Sequence, residues 1–237
     1  MKKGIGIIIF LVLVQYNAFA DGYWLELTGS GHRGDTLFIK IRYGGVDEQK
    51  HRYIKSGTAL DKMNGFHLYI IDNEGKKKTI PIQQFSNYWE GCYTPKANGS
   101  YRILAIDSTL PVVERSDTLQ NIKPIQYLCS LYQVGNTNRV ITNDQYLDLI
   151  ANINNNTVQI KSFIGKNKIE NNHKLRIFYP GNHDESLDIK NNTSELLLKE
   201  KGMYLIRLDW VEKKKGILNR KRFYSIRHRC DYTLYNR

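Results

Sequence analysis

Short runs of alternating apolar and polar residues, each closed by a turn, fill nearly the whole chain beyond its first twenty residues. Residues 37–43 stop at Gly44-Gly45, and residues 66–71 stop at Asp72-Asn73-Glu74-Gly75, a hairpin-type turn. Residues 78–82 hold Pro81, a residue suited to an edge strand. Residues 101–106 follow Asn98-Gly99, and residues 125–134 are long enough to cross a sheet. The pattern then restarts with residues 146–150, 157–164, 174–179, 194–198, 204–211 and 223–234. No segment keeps a helical period over three turns. A period of two places one side of each run inside, so short strands at regular spacing predict an all-β chain built of sandwiches.

The two halves echo each other. Asn98-Gly99-Ser100-Tyr101-Arg102-Ile103 matches Lys201-Gly202-Met203-Tyr204-Leu205-Ile206, and each is followed by a long strand containing a cysteine, Cys129 or Cys230. A Gly-x-Tyr at the start of a late strand suits an immunoglobulin-like domain. The glycine takes the turn, and the tyrosine buries its ring while its hydroxyl bonds back to a loop. The expected fold is therefore two tandem immunoglobulin-like β-sandwich domains, residues 21–135 and 140–237. The joint is the polar stretch Gly135-Asn136-Thr137-Asn138-Arg139. One larger sandwich is the competing arrangement.

The first twenty residues read as a secretory signal peptide. Lys2-Lys3 precede the apolar residues 5–14, and Ala18-Phe19-Ala20 forms a small-x-small cleavage site, so the mature chain is expected to start at Asp21. The apolar run is short of the ~20 residues a membrane span needs, and no other run approaches that length, so no transmembrane span is expected in the mature chain. The expected location is the periplasm or the exterior. There, 35 Lys and Arg against 23 Asp and Glu favour anionic surfaces or cell-envelope proteins as partners. Export argues against nucleic acid.

Each chemical candidate carries a plainer alternative. A transition-metal site needs several nitrogen, sulfur or oxygen donors around one ion. His183, Asp184 and Glu185 form the densest local cluster, on an expected loop tip after Pro180-Gly181-Asn182; a solvated polar turn is the alternative. His228 shares a strand face with Cys230, and is the fourth candidate for a divalent transition metal. Lys213, Lys214, Lys215, Arg220, Lys221 and Arg222 crowd around one Gly-Ile-Leu-Asn tip. They suit docking on anionic head groups or an acidic partner, or simply keep a β-ribbon soluble. Tyr88 and Trp89, within residues 85–90, mix ring faces with amide and carboxylate groups, as a glycan-stacking platform would; burial in a core is the alternative. His32 lies in a glycine-rich loop, but no phosphate-binding strand–loop–helix motif and no Gly-x-Ser-x-Gly elbow occurs, so no catalytic residue is assigned. Of the three cysteines, Cys92 and Cys129 are the expected pair if a bridge forms. Three reduced buried thiols are the alternative.

Three short motifs together carry a family resemblance: Gly22-Tyr23-Trp24-Leu25-Glu26, Gly34-Asp35-Thr36-Leu37, and Tyr93-x-Pro95 ahead of Gly99-x-Tyr101. The chain resembles exported bacterial proteins of two β-sandwiches, often described as the substrate-specific component of nickel uptake and otherwise of unknown function. The resemblance implies a non-catalytic binding protein of the cell envelope, accessory to uptake of a divalent metal such as nickel or cobalt. A glycan-binding or adhesion module is the other function expected. Family members commonly place a histidine just ahead of the aromatic-Trp-Leu segment. Asp21 and Gly22 stand there in this chain, which removes a natural ligand for such an ion.

Overall fold

The structure is a computed structural model and describes residues 21–47, 49, 51–115, 120–136 and 142–236. The expected signal peptide and residues 137–139 of the expected joint lie outside the described residues. The first half contributes β1 (Gly22–Thr28), β2 (Leu37–Val46), β3 (Arg52–Ile54), β4 (His67–Ile71), β5 (Lys77–Ile80), β6 (Gln83–Gln84), β7 (Trp89–Tyr93), β8 (Gly99–Asp107) and β9 (Ile122–Val134). One 3-10 helix, Gly57–Met63, tucks Leu60 and Met63 into the core. The second half contributes β10 (Leu147–Asn154), β11 (Thr157–Ile164), β12 (Asn167–Lys168), β13 (Lys174–Phe178), β14 (Asp184–Asp188), β15 (Thr193–Leu197), β16 (Gly202–Glu212), β17 (Gly216–Leu218), β18 (Lys221–Phe223) and β19 (Ser225–Asn236). The chain is an all-β sandwich, and β2, β4, β5, β8, β9, β10, β11, β13, β15, β16 and β19 fall on the alternating runs of the sequence.

The sheets repeat in strand order, except that β6 of the first outer sheet has no counterpart in the second. β1-β2-β7-β6, with β3 on β2, form one outer sheet; β10-β11-β12, with β15 on β11, form the other. Each half also gives four strands to a single eight-stranded sheet, ordered β14-β13-β16-β19-β9-β8-β4-β5. At its centre β9 and β19 pair in parallel, from Ser225↔Ile122 to Thr233↔Ser130. Equivalent strands that pair in parallel are related by a two-fold axis along the strands, which turns one half over relative to the other. The burial pattern agrees. Leu128, Tyr132 and Val134 of β9 face the core containing Leu25, Ile39 and Ile41 of the first outer sheet. Tyr127 and Cys129, on the opposite face, join Leu147, Leu149, Ile160 and Tyr204 in the second core. The two outer sheets therefore cover opposite faces of the shared sheet. The sequence repeat is a repeat of strand order whose copies meet edge to edge.

Both Gly-x-Tyr motifs form the expected corner. Tyr101 donates its hydroxyl to the Ala97 carbonyl at 2.7 Å, and Tyr204 donates to the Glu200 carbonyl at 3.0 Å. Gly99 (φ 145°) and Gly202 (φ 126°) adopt backbone that other residues resist, and a Cβ on them would lie 2.6 Å from Asn73 and 2.9 Å from Pro180. A buried arginine then ties the halves together. Arg102 of β8 bonds to Asp148 and, at 3.1 Å, to the Leu149 carbonyl, both on β10. On the other face Arg207 of β16 pairs with Asp231 at 2.7 Å, directly beneath Gly22 of β1, where any side chain would strike the guanidinium.

The cysteines correct the expected pairing. Cys92 is exposed on β7, whereas Cys129 and Cys230 are buried with their sulfurs 3.7 Å apart. The parallel pairing of two chain-distant strands brings them together. Among the described residues no helix is long and apolar enough to cross a membrane.

Candidate anion-docking surface

Parallel pairing has a second consequence: the loops that feed β9 and β19 emerge at one end of the molecule. In the second loop β17 and β18 form a hairpin whose two turn residues, Asn219 (φ 48°) and Arg220 (φ 64°), are both left-handed. A two-residue turn of that hand matches the natural twist of a hairpin. The first loop adds the bridge Val113↔Ile122. The loops are knitted together. The Tyr224 amide donates to the Asn121 carbonyl at 2.9 Å, and the Asn121 side-chain amide to the Arg222 carbonyl at 3.0 Å. Val112, Phe223 and Ile226 form a small core of their own under the hairpin, with Leu218 and Ile125 against it.

Alternation then sorts the hairpin's side chains. Leu218 and Phe223 face inward, and Lys221, exposed opposite Leu218, pairs with Glu114 at 2.8 Å. Ile217 and Arg222 pair on the outer side, where Ile217 is 67% exposed. Lys213, Lys214, Lys215, Arg220 and Arg222 are all exposed, and among the described residues none has a carboxylate partner. On β19, Arg227 is held below the usual guanidinium range by burial and then by the neighbouring Arg229. The result is a cationic ribbon anchored at its base, with the apolar Ile217 exposed on its outer side.

The metal candidates fall elsewhere. His183 sits in the turn before β14, its ring stacked on Tyr179 at 4.3 Å and its Nε2 3.7 Å from Glu200. Asp184 and Glu185 are not on a loop tip: they open β14, where Asp184 binds Arg176 at 2.6 Å and Glu185 accepts from the Tyr179 hydroxyl. His228 is buried on β19 beside Trp210, at the far end of β16 from His183, so the structure does not bring the two histidines together. Its Nε2 donates to Glu212 at 3.2 Å, which leaves Nδ1 to accept from the Tyr127 hydroxyl at 3.1 Å. Burial, opposed by Glu212, holds this imidazole below its usual range and so neutral.

Sequence reasoning missed a third group. Among the described residues, Cys129, Asp148 and Cys230 place one donor atom each within 4.8 Å of one another. Only the shared face of His228 and Cys230 hinted at it. The Asp148 carboxylate is already filled by Arg102, the Gln145 side chain and the amides of Asp144, Gln145 and Leu149. Two thiols remain, fewer than the four ligands of a structural zinc site. Burial, then Cys129, pushes the Cys230 thiol well up, which keeps it protonated.

Tyr88 and Trp89 diverge. Tyr88 stacks on Phe85 at 4.9 Å under Lys40 and Arg42, on the outer surface. Trp89 packs against the first core and donates to the Leu60 carbonyl at 3.2 Å. No protein-family model and no curated protein matches this chain.

Proposed function

We propose that the chain is a non-catalytic binding protein of the cell envelope that docks on an anionic surface through the 213–222 ribbon. The observation that carries this reading is the row of five exposed cations, without carboxylate partners among the described residues, around the exposed Ile217 on a ribbon anchored by its own small core. Unpaired surface cations raise the local potential and draw in anionic partners, an attraction that salt screens over ~8–10 Å. Each cation near an anionic lipid surface contributes ~1 kcal/mol, so the ribbon's five are enough for measurable adhesion.

The test uses residues 21–237 and vesicles with and without phosphatidylglycerol. Retention on the anionic vesicles, lost in high salt, supports the reading. A variant with Lys213, Lys214, Arg220 and Arg222 each changed to Gln should lose it while keeping its melting temperature. Equal retention of that variant overturns the role of the ribbon. If Ile217→Ser binds a soluble acidic polysaccharide normally but vesicles weakly, the surface is lipid. If both are unchanged, the partner is recognised by charge alone.

A further inference from the structure

At the end of β16 and β19 opposite the ribbon lies an open cleft of about 440 Å³, lined by Trp24, Leu27, Arg52, Ile54, Met203 and Tyr235, with Glu26 and Thr28 at its side. It forms where β1 and β3 of the first half meet the uncovered face of the second half. Its volume lies within the ~300–1,000 Å³ of small-molecule pockets.

The polar groups in this cleft are badly matched. Glu26 bonds to other partners: one carboxylate oxygen accepts from Trp24 Nε1 at 3.1 Å and the other from Arg42 Nε at 2.8 Å. Arg52 is left with Met203 Sδ, at 3.6 Å, as its only hydrogen-bond acceptor among the described residues, and with the Trp24 ring at 5.9 Å. Tyr235 donates its hydroxyl to the same sulfur at 3.3 Å. A thioether is a weak acceptor, and a guanidinium presents five donors in a fork shaped for a carboxylate. Burial holds Arg52 below its usual range, against the opposing pull of Tyr235 and Glu26, and no carboxylate among the described residues bonds to its fork. The remaining walls, Leu27, Ile54 and the Met203 side chain, are apolar.

We propose that this cleft binds a small organic carboxylate with an apolar body, whose carboxylate replaces the Met203 sulfur as acceptor for Arg52 and Tyr235. The apolar body rests on Leu27, Ile54 and Met203, a flexible side chain that moves aside readily. This site is separate from the ribbon and stands whether or not the ribbon docks.

Calorimetric titration of residues 21–237 with phenylacetate and octanoate tests it, with phenylacetamide, glucuronate and inorganic phosphate as counterparts. Phenylacetate or octanoate should bind roughly tenfold or more tightly than the amide, because only the acid supplies a charged acceptor. Glucuronate and phosphate, which lack the apolar body, should bind weakly. Arg52→Met should abolish acid binding and Tyr235→Phe should weaken it several-fold. Arg52→Lys, which keeps the charge and loses the fork, should fall between and shows that loss in Arg52→Met is not misfolding. The four-Gln ribbon variant should bind the acids as the parent does. Equal affinity for acid and amide, undiminished binding by Arg52→Met, or no binding of either acid overturns the proposal.

Discussion

At the scale of single residues, the structure separates groups that look alike in the sequence. Cys92 is exposed while Cys129 and Cys230 are buried against each other, and burial raises the proton affinity of the Cys230 thiol, so native protein treated with iodoacetamide should gain one adduct, at Cys92. The other two should react only after denaturation; rapid alkylation of all three would mean that the second core opens. His228 makes a pH prediction with a definite sign. Its folded pKa lies below the unfolded value of ~6.5, so the unfolded chain binds more protons in that window. The stabilisation is complete above the unfolded value and is lost as pH falls through the folded one. Melting temperature should therefore drop as the buffer is taken from neutral into the acid range, and His228→Gln should flatten that slope. Identical slopes would remove His228 as the cause. That His228 and Cys230 share a face was legible from their spacing of two. Their true neighbours, Tyr127 and Cys129, were not, because they lie 101 residues away and meet only through strand pairing.

At the scale of elements, legibility followed apolar alternation. β2, β4 and β11 bury mainly one side, and a period of two marks them in the sequence, whereas β8, β16 and β19, inside the shared sheet, bury both faces along part of their length and read as apolar runs. β14 escaped because its residues, Asp184-Glu185-Ser186-Leu187-Asp188, form an exposed edge strand with almost nothing to bury. Its counterpart at the other edge, β5, begins Lys77-Lys78. The eight-stranded sheet thus ends in charge on both sides, which discourages pairing between copies. Replacing Asp184 and Glu185 with Thr should remove that protection. Light scattering should then show concentration-dependent association, whereas a variant that stays as small as the parent would mean that twist or neighbouring loops guard the edge instead. The basic ribbon was legible as a charge run, but its anchoring was not. The loop cores meet only because β9 and β19 run side by side.

At the scale of the whole molecule, that central pairing turns two similar halves into one mechanical unit. β9 buries residues on both faces, towards the first core and towards the second, so neither half can lose its strands without exposing the other's interior. Arg102 adds to the coupling, since its charge is neutralised by Asp148 across the junction. Unfolding of residues 21–237 should accordingly be a single calorimetric transition, with van't Hoff and calorimetric enthalpies equal. Asp148→Ala should leave the buried Arg102 with only Asp144, at 3.3 Å, as counter-ion and lower stability by roughly 3 kcal/mol, a cost spread over the whole transition. Two resolved transitions in the parent, with only the later one moved by Asp148→Ala, would show that the halves melt separately. The shared sheet would then be a contact surface between independent domains. A single transition that moves as a whole under Asp148→Ala ties the two ends of the molecule, ribbon and cleft, to one folding equilibrium, so that a ligand stabilising either end stabilises both.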